Sequence, residues 1–239
     1  MNKYLSLLCV IGCFAQPVWA ANNVNLGNFT GATAQADFKA FSEDLGAALS
    51  YKPITPPTPL GITGFDLGLE VTSTKMRNLD IATNSSMNNL VVPKLHIYKG
   101  LPLNIDVGAF YSAVPTTNIK FYGGELRYAI LEGGAALPAV GIRGALTKLT
   151  GVSQLGLTTK SLDVSVSKGF AMFTPYAGIG RVWVDSTPDA AATGLTEETF
   201  QQGKIYVGGN FNLGAANVAL EYDKTGSAPS YSAKLGFRF

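Results

Sequence analysis

Over most of its length this chain alternates, residue by residue, between apolar and polar side chains. From Gly64 to Lys75 one series is Phe65, Leu67, Leu69 and Val71, and the other is Asp66, Gly68, Glu70 and Thr72. The same period recurs from Leu103 to Tyr111, Val140 to Thr147, Leu162 to Ser167 and Lys204 to Leu213. Weaker segments centre on Leu95, Leu126, Val182 and Leu220, and a final one runs from Tyr231 to Phe239. Successive side chains of a strand point to opposite faces, so a period of two predicts strands with one apolar and one polar face. These segments amount to ten candidate strands and an all-β chain.

Strand length and loop length decide how such strands close. Several segments run about 10 to 13 residues, which suits a tilted strand crossing a bilayer. A soluble strand is usually about 5 or 6 residues long. A soluble β-sandwich also alternates, with its apolar side chains inward. A membrane barrel inverts the pattern and turns them to lipid. Longer connections near residues 76–89, 113–118 and 186–200 alternate with tight ones near 99–101, 169–172 and 213–216. Long outer loops and short periplasmic turns give a barrel this asymmetry. The prediction is a closed antiparallel up-and-down transmembrane β-barrel of about ten strands over residues 61–239, with a periplasmic sandwich as the competing fold.

The first twenty residues read as an export signal. Lys3 precedes a short apolar run from Leu5 to Phe14, and Val18-Trp19-Ala20 fits a cleavage site after Ala20. Val10-Ile11-Gly12-Cys13 also resembles a lipoprotein processing box. Cys9 and Cys13 are the only cysteines, so a chain beginning at Ala21 has no disulfide, thiol nucleophile or cysteine metal site. Residues 21–60 are expected to form a periplasmic segment carrying one amphipathic helix over 34–50. In that helix Phe38, Phe41, Leu45 and Leu49 share a face, and Thr33 is a candidate cap. Pro53, Pro56, Pro57 and Pro59 then make a stiff extended connector.

The polar series of the strands is expected to line the lumen. It contains Asp66, Glu70, Lys94, His96, Asp106, Glu125, Arg127, Arg143, Asp163, Arg181, Asp185, Lys204, Glu221 and Lys234. Charges of both signs in so narrow a space pair with one another, because an unpaired buried charge is costly. His96 is the only histidine, which makes a His/Cys zinc site and nucleophilic catalysis poor fits. No catalytic residue, metal or cofactor is expected. A net charge of +2 with 14% charged residues offers no field for nucleic acid. Tyr98, Tyr111, Phe121, Tyr122, Tyr128, Phe173, Tyr176, Trp183, Tyr206 and Tyr222 are expected to form girdles at the lipid–water boundaries.

The closing strand is the most specific feature. Tyr231, Leu235, Phe237 and Phe239 share one face of Lys234-Leu235-Gly236-Phe237-Arg238-Phe239 and the residues before it. Here the chain resembles the outer-membrane β-barrel proteins of Gram-negative bacteria, whose last strand characteristically ends in phenylalanine. The resemblance implies that these four residues are the assembly signal, read by the barrel-assembly machinery after passage with periplasmic chaperones. It also implies contact with outer-membrane lipid and lipopolysaccharide. Three functions stay open: a structural, adhesive or surface-binding role through the long loops, a narrow pore or small-ligand channel gated by the N-terminal helix, and an outer-membrane hydrolase.

Overall fold

The computed structural model of the chain describes residues 23–115 and 117–239, so the export signal and both cysteines lie outside the described residues. Ten strands follow one another in antiparallel order. They are β1 (Phe65–Lys75), β2 (Asn89–Gly100), β3 (Ile105–Ala113), β4 (Lys120–Glu132) and β5 (Ala139–Thr150). The second half comprises β6 (Leu155–Ser167), β7 (Phe173–Pro188), β8 (Glu198–Leu213), β9 (Ala216–Thr225) and β10 (Ala228–Arg238). Each pairs with its sequence neighbour, and β10 returns to pair with β1, so the sheet closes without an edge. Closure leaves no free edge strand, as lipid requires of a spanning sheet.

The polarity of the wall is inverted relative to a soluble protein. Leu69, Ile179, Leu126, Leu146, Ile205 and Leu220 face outward and are each more than half exposed. Asp66, Glu70, Lys94, His96 and Lys204 face inward and are buried. Around the outside, Tyr111, Tyr122, Trp183, Tyr222 and Tyr231 lie toward the long-loop end, while Phe65, Tyr128, Phe173, Phe211 and Phe237 lie toward the short-turn end. Two aromatic belts thus bound the apolar band. Tyr98, Phe121, Tyr176 and Tyr206 are not in them. They point inward and are buried. Tyr176 and Tyr206 lie across glycines of the next strand: a Cβ on Gly208 would sit 2.4 Å from the Tyr176 ring, and one on Gly178 2.3 Å from Tyr206.

The one long helix, α1 (Ala34–Leu49), forms where the periodic face predicts it. Thr33 precedes it without a side-chain capping bond. Two short helices, α2 (Leu79–Thr83) and α3 (Ala190–Thr193), fall in the β1–β2 and β7–β8 loops, two of the three long ones. The long helix α1 lies inside the long-loop mouth of the barrel, against β1, β6, β7, β8 and β10. Phe38, Phe41 and Leu49 are fully buried and Leu45 is 1% exposed. Burying each such side chain contributes roughly 1.5–3 kcal/mol, enough to draw an unpartnered apolar face into any apolar seat that fits it.

That seat is built by the upper ends of the strands. Leu90, Val92, Phe121, Leu149, Leu155, Leu157, Val182 and Val184 point inward and join α1 in one apolar cluster. The interior therefore has two layers, an apolar collar around the helix and a charged layer below it. Gly46 is where α1 approaches the wall most closely, since a Cβ there would stand 2.8 Å from both Val184 methyl carbons. Beside it, the Ser42 and Ser186 hydroxyls lie 2.9 Å apart.

Candidate functional site

Below α1 the chain runs down through the lumen as an extended strap, residues 50–60, and emerges at the short-turn end to begin β1. Residues 50–57 are all buried. A proline-rich extended segment has no internal hydrogen bonds, so its carbonyls and remaining N–H groups must find partners elsewhere. The wall supplies them from charged side chains. Lys204 Nζ donates to the Tyr51 carbonyl (2.5 Å). Arg127 donates to the Thr55 hydroxyl (2.6 Å) and the Pro56 carbonyl (3.2 Å). The N–H of Ile54 donates to Glu221 Oε2 (2.7 Å), and that of Leu60 to Asp106 Oδ1 (3.1 Å). Ile54 has a φ of 42°, costly for a β-branched residue by about 1–3 kcal/mol. The Glu221 bond and complete burial of its side chain hold it there.

Lys52 is the strap's own charge. Its ammonium sits 2.7 Å from Asp223 Oδ1 and donates to Ser230 Oγ (3.2 Å) and to the Ala47 carbonyl (3.0 Å). The buried wall has an unequal balance of charge. Its carboxylates are Asp66, Glu70, Asp106, Glu125, Asp163, Glu221 and Asp223, and its cations are Lys94, Arg127, Arg143, Lys204 and Lys234. Arg238, at the rim, adds one more cation. Lys52 brings its positive charge to the carboxylate-rich side of the lumen, so the strap completes the charge pattern of the wall.

The remaining wall groups pair locally. Glu70 binds Lys94 at 2.7 Å and also contacts His96 and the Thr72 hydroxyl. Asp106 holds Arg127 at 2.8 Å, and Asp163 holds Arg143 at 2.6 Å with Lys204 at 3.8 Å. Glu125 lies 3.6 Å from Arg143. Tyr176 donates to Glu221 at 2.9 Å. The His96 ring is fully buried, stacked between Tyr98 and Phe110 and bonded to the Tyr98 hydroxyl at 3.1 Å. No substrate reaches that imidazole while the strap is seated. Among the described residues no group of three His, Cys, Asp or Glu side chains is arranged to hold a metal ion.

Of the residues expected in the lumen, Asp66, Glu70, Lys94, His96, Asp106, Glu125, Arg127, Arg143, Asp163, Lys204, Glu221 and Lys234 are found buried inside it. Arg181 and Asp185 are corrections: both face outward. The apolar collar requires Val182 and Val184 inside, which turns their neighbours to the exterior. Sequence reasoning missed Lys52, Tyr51 and Asp223. Asp223 was accessible to it, standing two residues after Glu221 on the same face of β9.

The mouth is closed by further ties from the N-terminal segment to the long loops. Arg77 donates to both Asp44 oxygens (3.0 and 2.9 Å) and to Glu43 (2.9 Å). The bond to Asp44, with burial opposing it, raises the guanidinium above its ordinary value. Gln35 bridges to Glu198 and to the Thr196 main chain. The N–H groups of Val24, Asn25 and Leu26 donate to Asn118, Ala82 and Gln154 respectively.

Fold and lumen together define a ten-stranded antiparallel barrel with an apolar exterior, plugged by its own N-terminal segment. No protein-family model matches this chain, and no curated protein matches it. Among solved structures it is similar to the N-terminal β-barrel domain of Pseudomonas aeruginosa OprF, at 11% identity and a TM-score of 0.37, over 73% of this chain and 97% of that one. It is similar to the KdgM porin at 9% identity and a TM-score of 0.37, over 74% and 99% of the two chains. It is also similar to Ail, the attachment invasion locus protein of Yersinia pestis, at 10% identity and a TM-score of 0.30, over 74% and 99%. At these values the likeness carries no argument about activity.

Proposed function

We propose that this chain is an integral protein of the bacterial outer membrane, closed to solutes by its own N-terminal strap, with a structural, adhesive or surface-binding role at the long-loop end. The observation that carries this reading is the strap itself. Eight consecutive residues, 50–57, are buried in the lumen and bonded to charged wall groups. The apolar exterior and the closing Tyr231, Leu235, Phe237 and Phe239 support the location, and the barrel-assembly machinery and periplasmic chaperones are its partners in transit. With the carboxyl terminus on the periplasmic side, α1 and residues 23–33 lie at the cell surface beside the loops that hold α2 and α3. The burial of His96 supports a non-enzymatic role. A gated pore is the second reading, favoured because the strap is held by hydrogen bonds and charges rather than by an apolar seal. Conductance of the purified protein in planar bilayers separates them. A silent barrel is expected, and sustained current through the unmodified protein would overturn the sealed reading.

A further inference from the structure

Closing the barrel does not pair every strand along its whole length. At the long-loop mouth two strands rise past the end of a neighbour. The β2–β3 ladder stops at Leu95 and Tyr111, which leaves residues 89–94 paired with β1 alone. The β8–β9 ladder stops at Lys204 and Thr225, which leaves residues 198–203 without a partner from β9. Each of these segments is a short sheet edge, and an edge presents main-chain donors and acceptors to any chain that can lie along it.

The fold blunts only the first of them. Pro93 stands near its base and has no N–H to offer, and the Pro93 carbonyl takes the Ser112 hydroxyl at 2.6 Å. The β8 edge has neither device. Its run Thr199-Phe200-Gln201-Gln202-Gly203 contains no proline and no charge. The Gly203 carbonyl shows which groups face the gap, because it accepts from the Gly226 N–H at 2.9 Å. Alternate residues of an antiparallel strand direct both main-chain groups to one side, so Gln201 and Thr199 face the gap as well. Beyond Gly226 the chain turns back into β10, and among the described residues neither has a main-chain partner on that side. Thr199, Gln201 and Gly203 are exposed. Gln201 is opposite Trp183 in the β7–β8 ladder, which sets the edge at the outer aromatic belt and just above it.

A second observation lies beside the gap. Gln202 turns inward against Gly226, where a Cβ would stand 2.4 Å from its amide nitrogen, and its buried amide oxygen has no hydrogen-bond partner. Gln35 and Lys39 of α1 both reach Glu198, at 2.7 and 3.7 Å, so the helix backs the edge from the lumen side.

We propose that residues 199–203 of β8 are a docking site for an extended peptide segment of another protein, which adds as a strand where β9 has ended. The inference rests on the surface-binding reading and gives that surface a partner class. The unpaired ladder sets the partner's form, since only an extended chain, rising about 3.3 Å per residue, matches its donors and acceptors. A second copy of the barrel does not fit. Antiparallel pairing of two β8 strands would set one barrel upside down in the membrane, and the closed wall below Lys204 keeps two upright barrels from meeting edge to edge. Residues directly opposite one another share a face of the sheet. The peptide residues bonded to Gln201 and Thr199 therefore turn their side chains outward, and the alternate ones turn inward beside Phe200 and Gln202.

The test is fluorescence anisotropy with the full-length protein in maltoside micelles. The probe is a labelled peptide copying residues 181–187, a sequence that already pairs with β8 along its other side. With Val182 and Val184 turned inward, the N–H groups of Trp183, Asp185 and Thr187 face the edge. Saturable binding is expected. N-methylation of those three residues should lower the affinity tenfold or more, and N-methylation of Val182, Val184 and Ser186 should leave it unchanged. Q201P removes the edge's own N–H without touching the β7 ladder, and should cost tenfold or more while the heat-dependent gel shift persists. Q201A should bind as the unmodified protein does. Absence of saturable binding, an equal loss from both methylated peptides, or full affinity in a folded Q201P would each overturn the site. Should Q201P lose its gel shift, the two methylated peptides decide alone. Binding in micelles depends neither on the leaflet nor on conductance, so a failure here counts against the strand site and leaves the location and the sealed lumen standing.

Discussion

Replacing Lys52 with glutamate is expected to open the barrel. Its ammonium is completely buried, 2.7 Å from Asp223, in a wall where Glu221 and Asp223 stand together on β9. Removing one partner of a buried ion pair typically costs about 3–5 kcal/mol, because the other charge is left without compensation. Lys52→Glu goes further and sets a third carboxylate beside those two. The strap then has no favourable seat for residues 51–55, whose remaining ties are the hydrogen bonds to Lys204, Glu221 and Arg127. Lys52 also donates to the Ala47 carbonyl in the last turn of α1, so the helix in the mouth loses a tie together with the strap. The predicted outcome in planar bilayers is frequent current steps where the unmodified protein is silent. Lys52→Met, which keeps the length and drops the charge, should give rarer steps. A Lys52→Glu barrel that folds and stays silent would mean that the strap is not the seal.

The second large effect is expected at the seam where the barrel closes. Asp66 on β1 faces the last strand and holds two of its cations, Lys234 at 2.7 Å and Arg238 at 2.6 Å. The stem of Lys234 reaches Asp66 by lying over glycines, since a Cβ on Gly68 would stand 2.5 Å from Lys234 Cε. Asp66→Ala strands a buried ammonium and a half-buried guanidinium at the one ladder that joins the two ends of the sheet. A loss of about 3–5 kcal/mol is expected. It should appear as a lower temperature for conversion of the folded gel band to the unfolded one. Adding Lys234→Met to Asp66→Ala should recover part of the loss, because a buried pair replaced by apolar groups is often neutral. No recovery would place the cost in the strand pairing rather than in the stranded charge.

These two sites differ in how far the sequence exposes them. Asp66 was legible, because β1 alternates cleanly from Phe65 to Val71 and its polar face could be assigned to the lumen. The ten strands and the inverted polarity were legible for the same reason. The upper third of the barrel was not. There the interior is apolar, so Lys148, Lys160 and Arg181 face out while Leu149, Leu157 and Val182 face in. A single rule of polar side chains inward therefore misassigned Arg181 and Asp185. What reverses the rule is α1, whose apolar face is legible in Phe38, Phe41, Leu45 and Leu49, while the ring of wall residues that seats it is not. The strap was harder still. Four prolines announce an extended segment, yet nothing local in residues 51–60 says that charged wall groups will take up its main-chain hydrogen bonds. Only Lys52, a lone cation in an otherwise uncharged run, hinted that a carboxylate waits for it.

Threading of the barrel by its own chain leaves the amino-terminal segment on the side opposite the short turns. It is tested most directly with single cysteines, since Cys9 and Cys13 are the only native ones and precede residue 21. Ala32 is exposed beside the long-loop mouth, and Ala135 is exposed in the β4–β5 turn at the other end. A membrane-impermeant maleimide applied to intact cells should label Ala32→Cys, and should label Ala135→Cys only after the cells are opened. Labelling of Ala135→Cys but not Ala32→Cys on intact cells would contradict the account, returning the N-terminal segment to the periplasm.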